Sequence, residues 1–227
     1  MTVDEFISAN QCKVLYHMSE KGSWPNIQKL GLWSTSALLD ICGYTGDKRA
    51  EIETQLRRNK VKVKHPTHGI LVIRDQAPML DWPEQGIYLD ALLEDNVTRQ
   101  EWLRLLSGKV FFWTNRYELN KMLCAWQYRG TAQWVITVDT RALLEQYASK
   151  AYVSDQNTGS LYSGRKRGPS TFVPLVKSPV KSNIIELAID YGIPNISDFA
   201  ISVTECIGTK VNGERVCKDV KQIWARK

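Results

Sequence analysis

The residues that most often carry chemistry are scarce in this sequence. Its 227 residues include three histidines and five cysteines. The cysteines (Cys12, Cys42, Cys124, Cys206, Cys217) are dispersed, odd in number and form no C-x-x-C pair. That argues against a disulfide framework and against a thiolate zinc site. Cys206 and Cys217 are expected to face each other across a predicted hairpin, as reduced thiols. His65 and His68 share an HPTH turn with no third ligand nearby in sequence, so no metal is expected. The P-loop pattern, the G-x-G-x-x-G fingerprint and the G-x-S-x-G elbow are all missing, which removes the familiar nucleotide-binding and hydrolase signatures. Long apolar runs are absent too. ILVI (70–73) and VFFW (110–113) fall far short of the roughly 20 residues a spanning helix needs. The opening MTVDEFISANQCK carries acids and no apolar core, unlike a signal peptide. A cytoplasmic protein without membrane contact is the expectation.

What is present describes a folded, slightly basic chain. Hydrophobic residues make up 43% and charged residues 24%, which excludes a disordered or collagen-like chain. Lys and Arg number 30 against 24 acids, a net charge of +6, and there are eight tryptophans. A positive excess of this size fits contact with phosphates and fits plain solubility equally well. The length suits one large domain or at most two small ones, and there is no internal repeat. Thr2 and Glu5, and again Thr98 and Glu101, have capping-box spacing at the start of predicted helices. Ser23-Trp24-Pro25 opens a helix that Gly31 should close. Further helices are predicted at 35–42, 47–60, 116–128 and 141–148. Strands are predicted at 13–18, 61–65, 68–75, 109–114, 133–140, 151–154, 183–190 and 200–206. Asn212-Gly213 reads as a type I′ hairpin turn. Because the elements lack a regular β-α-β beat, the predicted class is α+β, with a mostly antiparallel sheet and flanking helices.

Four features are candidates for chemistry. His17, beside Tyr16, ends the first strand, where it serves either a cleft or the local structure. Strand 109–114 delivers Trp113-Thr114-Asn115-Arg116 into a helix. Arg116 then either reaches an anion near the free amides or is a solvated first-turn residue capped by Asn115. Glu186 is a carboxylate within an otherwise apolar strand, SNIIELAID. Either its face is wet or the group is aimed into a cleft, because burying an unused charge is expensive. The loop NTGSLYSGRKRGPS carries Arg165, Lys166 and Arg167 among glycines. It reads as a mobile phosphate clamp or as an ordinary surface loop.

In their order, LYHMSEKGSWPNIQKLGLWSTS, VFFWTNRYELNKML and IIELAIDYGIPNISDFAISV resemble the ADP-ribosyltransferases of the DarT type. The resemblance extends to the related CmdT-like RNA-modifying toxins of phage-defence toxin–antitoxin–chaperone systems, and it spans roughly residues 13–205. It implies a single ADP-ribosyltransferase-like domain with a split, mostly antiparallel sheet. It also implies NAD+ as co-substrate, no metal, and transfer of ADP-ribose to a base of nucleic acid, RNA favoured over single-stranded DNA. By position, Glu186 matches the catalytic glutamate and Arg116 the arginine near the reacting ribose and phosphates. His17 matches the nicotinamide-side histidine, with Tyr16 beside it. Ser34 and Asn157 are assigned to the NAD+ pocket. Arg165, Lys166, Arg167 and Trp113 are assigned to nucleic acid. An antitoxin protein and a chaperone are implied partners. Residues 44–108 form an insertion outside the pattern, and a C-terminal hairpin spans about 200–220. A protein-modifying transferase and a non-catalytic nucleic-acid-binding module are the alternatives.

Overall fold

The computed structural model describes residues 1–227. In chain order its regular elements are α1 (Val3–Asn10), β1 (Val14–Glu20), α2 (Trp24–Leu30), β2 (Leu32–Trp33), α3 (Thr35–Ile41), α4 (Gly46–Thr54), β3 (Val61–His65), β4 (Gly69–Ile73), α5 (Arg99–Ser107), β5 (Lys109–Trp113), α6 (Arg116–Leu123), β6 (Ala132–Asp139), α7 (Thr140–Tyr147), β7 (Ala151–Ser154), β8 (Val173–Pro174), β9 (Glu186–Asp190), β10 (Gly192–Ile193), β11 (Ala200–Val211) and β12 (Glu214–Ala225). Local signals set several helix starts. Thr2/Glu5 and Thr98/Glu101 form complete capping boxes for α1 and α5. The side chains of Asn115 and Asp139 accept the free amides that open α6 and α7.

An eight-stranded sheet runs β12-β11-β6-β1-β5-β9-β7-β8. Every neighbouring pair is antiparallel. The chain is thus α+β, a large open antiparallel sheet flanked by helices. One junction is different from the rest. β1 and β5 share a single register pair, Tyr16 with Trp113. Where the backbone ladder stops, the His17 ring takes over, with Nδ1 2.8 Å from the carbonyl oxygen of Phe111.

The alternation of each strand sorts its side chains onto two faces. Leu15, Ile136, Phe112 and Leu187 pack on one face with Phe6 of α1, Trp24 of α2 and Leu143 of α7 in the main core. The other face carries two separate clusters. Met18, Trp113 and Val135 lie against Leu119 and Leu123 of α6, whereas Ala188 lies with Trp102, Leu103 and Leu106 of α5. A fourth cluster, with Val63 and Leu71, fixes the β3–β4 hairpin to Leu39 of α3 and Ile52 of α4.

Some expected elements differ from those observed. The strand expected at 183–190 begins only at Glu186, because Asn183 adopts a positive φ of 65°. The charged helix expected at 47–60 stops at Thr54, having too few apolar residues to be held further. The terminal hairpin is longer than expected, reaching Ala225. Cys206 and Cys217 are not partners. In register Cys206 faces Asp219 and Cys217 faces Gly208, and the Cys217 thiol instead lies 3.0 Å from that of Cys124.

Gly208 explains this close docking. A Cβ there would sit 2.3 Å from the carbonyl oxygen of Leu123 at the end of α6. Gly208→Ala is therefore expected to cost about 1–3 kcal/mol. Gly108→Ala meets only ordinary contacts from 3.6 Å outwards and should stay within about 0.5 kcal/mol. Paired urea melts check this, and equal stability of the two variants would contradict it.

Candidate functional site

A cavity of about 500 Å³ opens where β1 and β5 part. Its walls come from the end of β1 and the turn after it (His17–Ser23), the β2–α3 junction (Trp33–Thr35), Arg57, the strand end Ile73–Gln76, β5, Thr158–Gly159 and Glu186. Residues 44–108, set apart by sequence, supply a whole side of this space.

Glu186 lies in a row that crosses the sheet. Tyr16 faces Trp113, Trp113 faces Glu186, and Glu186 faces Ser154. The Glu186 side chain is only 3% exposed. Its Oε2 accepts from both the amide and the hydroxyl of Thr158, at 3.1 and 2.7 Å. No protein donor reaches Oε1, so half of the carboxyl is left for whatever enters the cavity. Burial raises its pKa to about 7, against the lowering effects of the two Thr158 donors and the Arg167 charge. At neutral pH the group therefore exists in both forms, and can accept a proton or stabilise positive charge.

His17 is shifted the other way. Burial lowers its pKa to about 4, and the nearby Arg74 charge acts in the same direction. The ring is neutral at pH 7. Nδ1–H donates to Phe111, which leaves Nε2 as an acceptor without a protein partner.

Two arginines line the same cavity without forming an ion pair. Arg57 donates only to neutral oxygens, those of Ile52, Arg74 and Thr35 at 2.6, 3.1 and 3.5 Å. Burial lowers its pKa to about 10. Arg74 donates through Nη1 to the Met18 carbonyl at 2.8 Å and stacks 4.8 Å over the Tyr128 ring. Its Nη2 is buried without a partner, as are Ser23 Oγ, Trp113 Nε1 and the carboxylate Oε2 of Glu20 on other cavity-lining residues. Buried polar groups are nearly always satisfied, so these unpartnered atoms make the cavity wall a candidate place for a polar ligand. No group of three or more His, Cys, Asp or Glu side chains is placed to hold a metal ion.

Of the residues singled out from sequence, the cavity brings together Glu186, His17, Ser34 and Trp113. Ser34 is also the N-cap of α3, accepting from the Ala37 amide at 3.2 Å. Arg116 and Tyr16 lie elsewhere. The Arg116 guanidinium is ion-paired to Asp219 of β12, donates to Asn120 and packs 6.0 Å from the Tyr16 ring. α6 packs against the terminal hairpin, so its first residue faces the hairpin and not the cavity. The basic loop is tied down rather than free. Arg165 pairs with Asp155, and Lys166 donates to the Leu93 carbonyl at 2.8 Å. Arg167, expected on the surface, is fully buried. It donates to the carbonyls of Asn157, Thr158 and Ser160 and to the Ser163 hydroxyl, so it holds the loop in shape and is not available to a nucleic acid. Asn157 accepts from the Gly159 amide at 3.0 Å, shaping the turn that presents Thr158. Sequence reasoning missed Thr158, Arg57 and Arg74. The only signal for Arg74 is a lone basic residue closing the apolar run ILVI.

Residues 13–200 match a family described as a family of unknown function, DUF7002. The chain belongs to this family. The matched region contains every residue of the DUF7002 cavity and ends where β11 begins, leaving α1 and nearly all of the terminal hairpin outside. No curated protein matches the sequence.

The Glu186 shift has a measurable sign. The folded state binds this proton up to about pH 7, whereas the unfolded carboxyl releases it near 4.5. The group's contribution to stability is full below pH 4.5 and lost as pH rises to 7. Glu186→Gln keeps an acceptor for Thr158 and removes the ionisation. Its stability relative to the parent should rise by up to about 3 kcal/mol between pH 4.5 and 8, as read from urea midpoints. A difference independent of pH would mean that the carboxyl is not held in this environment.

Proposed function

We propose that this protein transfers ADP-ribose from NAD+ to a base of single-stranded nucleic acid, RNA in first place. The observation that carries this reading is the buried Glu186 carboxyl. One oxygen is fixed by Thr158, the other has no protein donor, and the group lines a cavity that also takes in two arginines without carboxylate partners. A volume of about 500 Å³ suits a dinucleotide. Arg74 and Arg57, without carboxylate partners, suit a diphosphate. The neutral His17 and the Trp113 indole suit the polar and aromatic parts of the nicotinamide riboside.

In this reading, cleavage of the ribose–nicotinamide bond sends the electron pair to the leaving pyridine and positive charge to the sugar. The ionised Glu186, set beside that carbon on a rigid strand, stabilises the charge more in the transition state than in the ground state. A nucleophilic atom of the base then bonds to the same carbon, and Glu186 accepts the proton it sheds. The acceptor side is supported by aromatics outside every core cluster. Trp82 contacts Trp126 and Tyr162 edge-on, at 6.2 and 5.2 Å between ring centroids. Trp126 and Tyr162 are 55% and 64% exposed, and Met122 and Gly159, four and three residues before them, line the cavity. Exposed rings of this kind stack on unpaired bases of any sequence.

Incubation with NAD+ labelled in its ADP-ribose moiety, together with RNA, single-stranded DNA and a protein extract, tests the proposal. Label is expected in RNA. Label in protein alone would replace the acceptor, and absence of nicotinamide release would end the enzymatic reading. Glu186→Gln should lower transfer at least about 100-fold while the protein stays folded. With the parent protein, kcat/KM should climb with pH through about 7 as Glu186 ionises. Arg74→Gln should raise KM for NAD+ by about tenfold or more, with kcat little changed.

A further inference from the structure

The two edges of the large sheet are unlike. One edge is β8, two residues long and ending in Pro174, a strand too short and too poor in donors to template another. The opposite edge is β12, twelve residues long and without proline. Its inner side pairs with β11, and no strand pairs with its outer side. Its charges are also unbalanced. Asp219 is taken by Arg116, whereas Arg215, Lys218 and Lys221 are exposed and in no ion pair, against one free acid, Glu214. Lys210 on β11 lies directly opposite Arg215 in register, an arrangement of like charges that costs stability unless an anion lies near. A register irregularity at Val220 interrupts the ladder, so the regular part of the edge is Glu214–Asp219.

We propose that the outer edge of β12 at Glu214–Asp219 receives an acidic, extended segment of a partner protein as an additional antiparallel strand. The unpaired amides and carbonyls of the edge supply the backbone bonds, and Lys210, Arg215 and Lys218 select for carboxylates. The same cations repel the identical edge of a second copy. The free backbone row favours a peptide over a nucleic acid, which has no use for it. The hairpin lies almost wholly beyond the residues that the family model matches. The proposal does not depend on the chemistry of the cavity.

The probe is a fluorescein-labelled synthetic peptide of repeating Val-Glu-Thr-Glu, added to the full-length protein and followed by anisotropy and amide hydrogen exchange. Expected are saturable binding and slowed exchange over residues 214–219. Binding should weaken at least tenfold in the Arg215→Glu, Lys218→Glu double variant. It should fall as much when proline replaces each threonine of the peptide, which keeps the charge and removes backbone donors. Equal binding of the proline peptide would reduce the surface to bare electrostatics and overturn the proposal. So would binding of an oligothymidylate but no peptide, or a dimer that buries this edge. Because the proline arm uses the unaltered protein, a misfolded double variant would not rescue a wrong proposal.

Discussion

A carboxyl group taken almost wholly out of water is the constraint around which this structure is arranged. Leaving Glu186 buried and ionised is costly, and the surroundings answer that cost in layers. Thr158 gives two hydrogen bonds to one oxygen. Thr158 itself is presented by a loop whose carbonyls are gathered by the buried Arg167 guanidinium. The Arg167 charge in turn lowers the Glu186 pKa, although burial outweighs it. The position is thus over-determined: a strand start, a capped turn and a buried cation all place the same oxygen atoms. Such an arrangement holds the free oxygen in one place at the wall of the cavity.

The second constraint is the parting of β1 from β5. A continuous ladder there would close the sheet and leave no space for a ligand. With one register pair retained at Tyr16 and Trp113, the sheet keeps its order while the strands diverge beyond it. His17 replaces the lost backbone bonds with a side-chain bond to Phe111. It remains neutral because protonation would place a charge in a buried setting beside Arg74. The opened face would be unsupported without α4, β3, β4 and α5, which bring their own apolar clusters and supply Arg57 and Arg74 as a wall.

On the far side of Trp113, α6 faces the hairpin. Arg116 reaches Asp219, and Gly208 lets the end of α6 approach the strand backbone. The residue expected to meet phosphates is thereby an anchor for the hairpin, while the guanidinium groups facing the cavity arise from another part of the chain. The swap follows from packing, since the docking of α6 on the hairpin turns Arg116 toward Asp219.

The sequence by itself determined the elements and the class. Capping boxes at Thr2 and Thr98, the caps Asn115 and Asp139, the alternating strands and the Asn212-Gly213 turn are short-range features, and each depends on neighbours a few residues away. It also singled out Glu186, since a charge in an apolar strand signals a special environment without saying which. Only the tertiary structure decided that this environment is a cavity, that Arg167 lies inside the protein and Arg116 against the hairpin, and that Arg57, Arg74 and Thr158 converge with Glu186. Those outcomes depend on contacts between residues tens of positions apart. Burial and charge pairing across such distances arise from how whole elements pack, and no local spacing in the chain encodes them.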